Sequence, residues 1–515
     1  MNRIALDRRE FLKGCCATAA LGAVGPTLLF GDAAHAAVNG YDTIVHVFLR
    51  GGLDGLNLVV PVSGNDRVHY EQARPDLAIP ASGSYAALPL TLANGSATGF
   101  GLHPAAVGLR DIWTEGRLAI VHCCGMQTVV TRSHFDAQLY LDLGTPGSKG
   151  HGSGWIARAW KAQSGAVPSA VMPALAVNSR TPANLLGATE ALTMGSPTDF
   201  ALNSGPWQWQ TRRDGYPAGF KGVNETLAAL WQGQTRTERY GRAADAALRV
   251  VAQQPYTGTL PAGWPTSTFA RQLWTVAQSI RFNLGLRYAT VDLGGWDTHE
   301  NQGTAGSGHH YYQNKIAELS DALAAFYAEL AAGGEIARVT VVVQSEFGRR
   351  VRQNGSRGTD HGYGNPLLVL GGPVNGRRFY GTWAGLDPVV LSPHFGDVPV
   401  TTDFRRVFWE ILDKRMGLAT IGDVFPGYSG YSPLGIVGTG AVAAGQAARA
   451  LPPDITTASP QPVPEAIPPA VQPVPATDAT TVRARPAAVE LGSRVGRALL
   501  RLRLKLYRFL LRYRP

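Results

Sequence analysis

Cysteine is nearly missing from this chain, with four in 515 residues at positions 15, 16, 123 and 124. No Cys-x-x-Cys pair exists, which excludes the usual zinc–thiolate sites, and adjacent cysteines cannot staple distant loops. Cys123 and Cys124 therefore form a vicinal disulfide or remain two buried thiols. Long apolar runs are also scarce. Beyond the first 36 residues no stretch of 18 or more apolar residues appears, so no spanning helix is expected there. Charged residues make up only 16%, and the net charge of +10 is unevenly placed. Residues 481–515 hold ten Arg or Lys against a single acid, Glu490, while the chain between residues 37 and 480 is close to neutral. No nucleic-acid partner is expected, because the body lacks a basic surface and the tail lacks a reading module.

Glycine and proline are plentiful, 61 and 34 residues, which points to many turns and long loops around a globular core. The first 36 residues read as a twin-arginine export signal. Arg8 and Arg9 lie within Asp7–Lys13, an apolar stretch runs from Gly14 to about Phe30, and Ala34-His35-Ala36 supplies a small-residue cleavage pattern. A periplasmic or secreted location follows as an expectation. Residues 37–430 form the body. Residues 431–480 are expected to be a Pro/Ala-rich linker, and 481–515 a basic amphipathic helix. In 490–515, Arg494, Arg497, Arg501, Lys505, Arg508 and Arg512 share one face, and Leu499, Leu502, Leu506 and Phe509 share the other. That pattern suits an anionic membrane surface or another polyanion, or a helix docking on protein.

The body alternates short apolar runs with helical patterns. Runs at Thr43–Leu49, Arg117–His122, Arg287–Leu293, Arg338–Val343 and Leu367–Leu370 read as strands. Ile316, Leu319, Leu323, Phe326 and Leu330 make a stripe at helical spacing, and Thr401-Thr402-Asp403 caps a helix to about Lys414. Such alternation predicts an α/β fold, with a mostly parallel central sheet covered by helices on both faces. Ligands of such sheets sit beyond the carboxyl ends of the strands.

Polar clusters gather at those ends. Asp54, Asp297 with His299, Glu346, and Asp360 with His361 mix carboxylates and imidazoles, a donor set for one or two divalent ions (Zn, Mn, Mg or Ca). Two such ions can clamp the oxygens of a phosphoryl or sulfuryl group. Thr131 and Ser133 offer hydroxyl nucleophiles beside Arg132 and His134, and Arg50, Arg349 and Arg350 can neutralise an anionic substrate. Each also has a purely structural alternative. Asp54-Gly55 suits a turn, Ser133 suits a helix cap, and Glu346 with Arg349 suits an ion pair. His46 and His122 suit neutral core positions, and His103 a turn.

The blocks FLRGGLDGLNLVVPV (48–62), RSHFDAQ (132–138), GGWDTH (294–299), SEFGRRV (345–351), GTDHGYG (358–364) and TTDFRRVFWEIL (401–412) resemble the signature blocks of the DUF1501 family. These are exported bacterial proteins placed with sulfatases in the alkaline-phosphatase-like superfamily. The resemblance implies an alkaline-phosphatase-like fold and carries roles with it. Asp54, Asp297, His299, Glu346, Asp360 and His361 would hold metal, and Phe347 stands where a histidine ligand is usual. Ser133, with Thr131 second, would be the nucleophile, and Arg132, His134 and Arg349 would serve the reaction. A formylglycine sulfatase is disfavoured, because Cys/Ser-x-Pro-x-Arg is absent around Cys123 and Ser133.

The reading is a metal-dependent hydrolase or transferase acting on a phosphate or sulfate ester, such as an envelope glycan or lipid head group. The alternative is a non-catalytic envelope protein on the same scaffold.

Overall fold

The computed structural model describes residues 41–163, 170–196, 254–418 and 421–439, with a few positions between 229 and 251. Residues 1–36, expected to be an export signal, residues 440–480 of the expected linker and residues 481–515, expected to be a helix, lie outside the described residues. The apolar runs become strands because stretches rich in β-branched residues favour extended backbone and can bury both faces. In order they are β1 (Thr43–Arg50), β2 (Val59–Pro61), β3 (Leu88–Thr91), β4 (Ala97–Leu102), β5 (Leu118–Gly125) and β6 (Ala174–Val177). Then come β7 (Ala191–Met194), β8 (Tyr288–Gly294), β9 (Val339–Ser345), β10 (Asn365–Gly371), β11 (Arg378–Tyr380) and β12 (Thr402–Asp403).

Nine strands form one sheet in the order β11-β5-β10-β9-β1-β8-β6-β7, with β12 also pairing to β5. All pairings are parallel except those of β10, which runs against both β5 and β9. Reversal of this one strand decides where the site is built. It brings the amino end of β10, with Asp360 and His361 just ahead, to the edge where β1, β5, β8 and β9 end. A separate sheet, β2-β4-β3, is antiparallel.

Side chains alternate across the strands. Val45, Val47 and Leu49 of β1 join Val341 and Val343 of β9 in one core, packed with helices Val107–Thr114, Thr268–Arg281 and Tyr311–Gly333. Ile44 and Phe48 face the other way, toward helices Trp155–Gln163 and Phe404–Met416. The stripe at Ile316–Leu330 is the buried face of Tyr311–Gly333, and the Asp403 carboxylate caps Phe404–Met416 by accepting from Arg405 N.

Cys123 and Cys124 are two free buried thiols. They project into different cores, as successive residues of a strand must. The packed body also runs past residue 430. Glu410, fully buried, accepts from the backbone N–H groups of Leu434, Gly435 and Val437, and Val437 bridges to Val374. Residues 434–438, expected to begin the linker, thus pair with the body, and Ile436 and Val437 are buried in its core.

Candidate metal centre

The turn after β1 sets the floor of the site. Gly51 and Gly52 adopt φ of 124° and 72°, and a Cβ on Gly51 would lie 2.6 Å from Asp297 N. Only glycine lets this turn press against the turn after β8. Arg349, just past β9, then ties both turns together. Its guanidinium is buried and donates to Gly51 O, Gly52 O, Trp296 O and Thr359 O, and from Nη2 to Asp297 Oδ1 at 2.6 Å. Every arm of the side chain is engaged, so Arg349 is a staple that presents Asp297 and not, as expected, an anion clamp.

Two more loops are zipped to it by backbone pairing. Gly362 N donates to Gly348 O and Arg350 N to Asp360 O, setting His361 opposite Arg349. Asn301, Gln302 and Thr359 N–H groups donate to Ser356, Arg357 and Thr298 carbonyls, which sets His299 beside Asp360. His134 arrives from the first turn of helix His134–Leu143.

Three imidazoles now converge on one oxygen. The Nε2 atoms of His134, His299 and His361 lie 3.3, 3.1 and 3.3 Å from Asp297 Oδ1, and those of His299 and His361 are 2.9 Å apart. Each Nδ1 is turned outward and held. Glu346 Oε1 lies 2.8 Å from that of His134, Asp360 Oδ1 2.9 Å from that of His299, and Arg132 O 2.7 Å from that of His361. Ring nitrogens fixed on one side and aimed together on the other are how proteins orient histidines for a metal. Ligand atoms of His134, Asp297 and His361 all lie within 4.8 Å of one another. His134 Nε2 is buried and makes no hydrogen bond there, the orphan a cation would satisfy. The donor set of imidazole nitrogens and one carboxylate suits Zn or Mn, so residues and group fit.

His134 is raised from its ordinary value by its bond to Glu346, which outweighs partial burial. Burial pushes the Glu346 carboxyl upward, but bonds from His134, Gln138 and Gly51 N bring it below the usual range. Asp297 is also pushed up by burial, yet Arg349, His361 and His134 bring it down to about 2. Asp360 is lowered by Asn354 first and His299 next.

The sequence-derived roles therefore redistribute. Asp297, His299 and His361 meet as donors, and His134, expected to serve catalysis, joins them. Glu346 and Asp360 stand behind the histidines instead of facing the centre. Asp54, expected as a ligand, is elsewhere. It is fully buried, with Arg74 donating to Oδ2 at 2.6 Å and to Oδ1 at 2.9 Å, and Gln302 to Oδ2 at 2.5 Å. Ser133 caps its helix by accepting from Asp136 N. Arg132 pairs with Asp397 at 2.5 Å and lies against the rings of Tyr363 and Phe395. Phe347 is buried, its ring 4.9 Å from that of His134 and 4.8 Å from that of His361, a wall holding both. Arg50 pairs with Asp142 and Asp292, both at 3.2 Å. Beside the cluster lies a cleft of about 230 Å³, bounded by Thr131, Glu346, Phe347, Tyr363 and Phe395 among others.

Comparison with known proteins agrees with the sequence blocks. The family described as "Protein of unknown function (DUF1501)" matches residues 41–424. A solved protein of the alkaline phosphatase superfamily from Vibrio parahaemolyticus is similar at 12% identity over 77% of each chain, with a TM-score of 0.27. The PsFucS1 sulfatase from Pseudoalteromonas sp. is similar at 11% identity, covering 79% of this chain and 71% of its own, with a TM-score of 0.29. No curated protein sequence matches significantly.

Proposed function

Because the chain belongs to the DUF1501 family, whose members have no assigned activity, we propose a function from the centre itself: a metal-dependent hydrolase or transferase of phosphate or sulfate esters. One observation carries this reading, the convergence of three outward-anchored imidazoles on Asp297 at the carboxyl edge of the sheet. His134, His361 and Asp297 would hold a single Zn or Mn ion, with His299 as fourth donor. Such an ion would draw electron density from an ester oxygen. Glu346, Asp360 and the Arg132 carbonyl keep the rings turned toward it, and Arg349 keeps Asp297 ionised and in place. Thr131, which lines the cleft and whose Oγ1 accepts from Ser133 N at 3.2 Å, replaces Ser133 as the hydroxyl proposed to meet an ester. Protein purified without chelators should carry about one equivalent of metal, lost in Asp297→Ala. It should also cleave p-nitrophenyl phosphate or sulfate. Absence of both metal and turnover would overturn the reading.

Commitment of Arg349 and Arg132 to internal partners favours a second reading, a binding protein that holds an anionic ligand without turnover. A metal-loaded protein that binds phosphonates yet cleaves no ester in the same assays would decide for it. We further propose export through the twin-arginine route, which Arg8→Lys with Arg9→Lys should block. The basic helix 490–515 is proposed to contact anionic lipid. Co-sedimentation with phosphatidylglycerol vesicles, lost on its deletion, checks this.

A further inference from the structure

The cleft beside the metal cluster has a character of its own. Its inner wall is Glu346 and Phe347, and the Phe347 ring packs on two of the histidines, so the cleft opens directly from the site. Val130, Phe395, Pro399 and Val400 also line the cleft. Val130 is 67% exposed and Phe395 70%, apolar side chains left in water on the rim of a polar centre. Phe395 also sits at φ of 60°, a left-handed conformation that bulky residues rarely adopt and that functional loops tend to retain. Arg132 fixes this rim. Its guanidinium lies 4.8 Å from the Tyr363 ring centroid and 5.5 Å from that of Phe395, and it pairs with the buried Asp397 two residues further on. Arg132, expected to serve the reaction, instead braces an apolar wall.

We infer that this cleft receives a ring-sized apolar arm of the ester, making the substrate an amphipathic aryl-type ester. The inference rests on the ester reading above for its anionic end, but the cleft's preference stands on its lining alone. The lining includes Gln127, Thr131, Tyr363 and His394 as polar members, but valine, proline and phenylalanine predominate and favour burial of an apolar ring. A pocket of about 150 Å³ lined by apolar side chains accepts benzene, and this cleft, at about 230 Å³, holds a substituted ring but not a long acyl chain.

The test compares benzylphosphonate, methylphosphonate and decylphosphonate, none of them hydrolysed, by calorimetry on the full chain loaded with Zn²⁺. Burying a ring should make benzylphosphonate bind about tenfold or more tighter than methylphosphonate. In Val130→Ser with Phe395→Asn, both on the exposed rim and so harmless to folding, that ratio should fall toward one. A wild-type ratio near one, or tighter binding of decylphosphonate, overturns the proposal. If no phosphonate binds, the ester reading fails separately. Saturation-transfer NMR with benzyl alcohol on the metal-free chain then decides: a signal lost in the double variant upholds the apolar subsite, and no signal in the wild type rejects it.

Discussion

Glu346 Oε1 sits 2.8 Å from the Nδ1 of His134, and that single contact turns an acid just past β9 into the brace of a proposed metal donor. The same oxygen accepts from Gln138 Nε2 and Gly51 N, so three elements are fixed at one point. Glu346→Ala should therefore weaken zinc affinity by roughly 10- to 100-fold, the usual effect of losing such a brace. Chelator competition measures it. An unchanged affinity would show that His134 does not bind the ion.

Asp54 separates a ligand from a structural acid. With Arg74 buried against it, Asp54→Ala leaves an unpaired internal guanidinium and should cost about 3–5 kcal/mol in denaturant unfolding. Metal content of the folded fraction should not change. Loss of the ion would return Asp54 to the donor set.

The two hydroxyls of the loop before helix His134–Leu143 should behave differently. Ser133→Ala removes a helix cap, worth about 1 kcal/mol of stability, with turnover nearly intact. Thr131→Val should lower ester turnover by more than about tenfold, with only a small drop in the unfolding midpoint from loss of the bond that Thr131 Oγ1 accepts from Ser133 N. Steady-state kinetics alongside thermal melts would expose the reverse pattern, which would restore Ser133 as nucleophile.

Acid should destabilise the body through histidines remote from the centre. Burial lowers His46 to about 3 and both His103 and His122 to about 4. Unfolded, each takes up a proton near pH 6.5. As pH falls from 6.5 toward 4 the unfolded chain binds more protons than the folded one, so stability is lost by up to about 1.4 kcal/mol per pH unit for each residue. In urea titrations at pH 7, 6 and 5, His122→Phe should show a shallower decline than wild type. Its ring would keep the stack on Phe379, now 4.4 Å between centroids. Parallel slopes would rule out this residue as a contributor.

Much of the scaffold was legible because it is local. The apolar runs at Thr43–Leu49 and Arg338–Val343 and the stripe at Ile316–Leu330 carry their own periodicity, and the structure forms strands and a helix there. The reversal of β10 was not legible, since an apolar run has no direction, and neither were the short strands β6 and β7. At the site, the sequence offered acids and histidines but not which oxygen faces which nitrogen. Asp54 looked like a ligand because its partner Arg74, twenty positions on, carries no local signal. His134 looked like a reaction residue because its neighbours in sequence were hydroxyls, and its partner Glu346 lies 212 positions away.

The staple made by Arg349 has a consequence for how the protein matures. The candidate donors at positions 134, 297, 299 and 361 come from three separate segments, and Arg349 can hold Asp297 only once the turns after β1 and β8 are in register. A chain ending before His361 lacks part of the proposed donor set, so an ion seated on Asp297 would mark a body in which these loops have already closed.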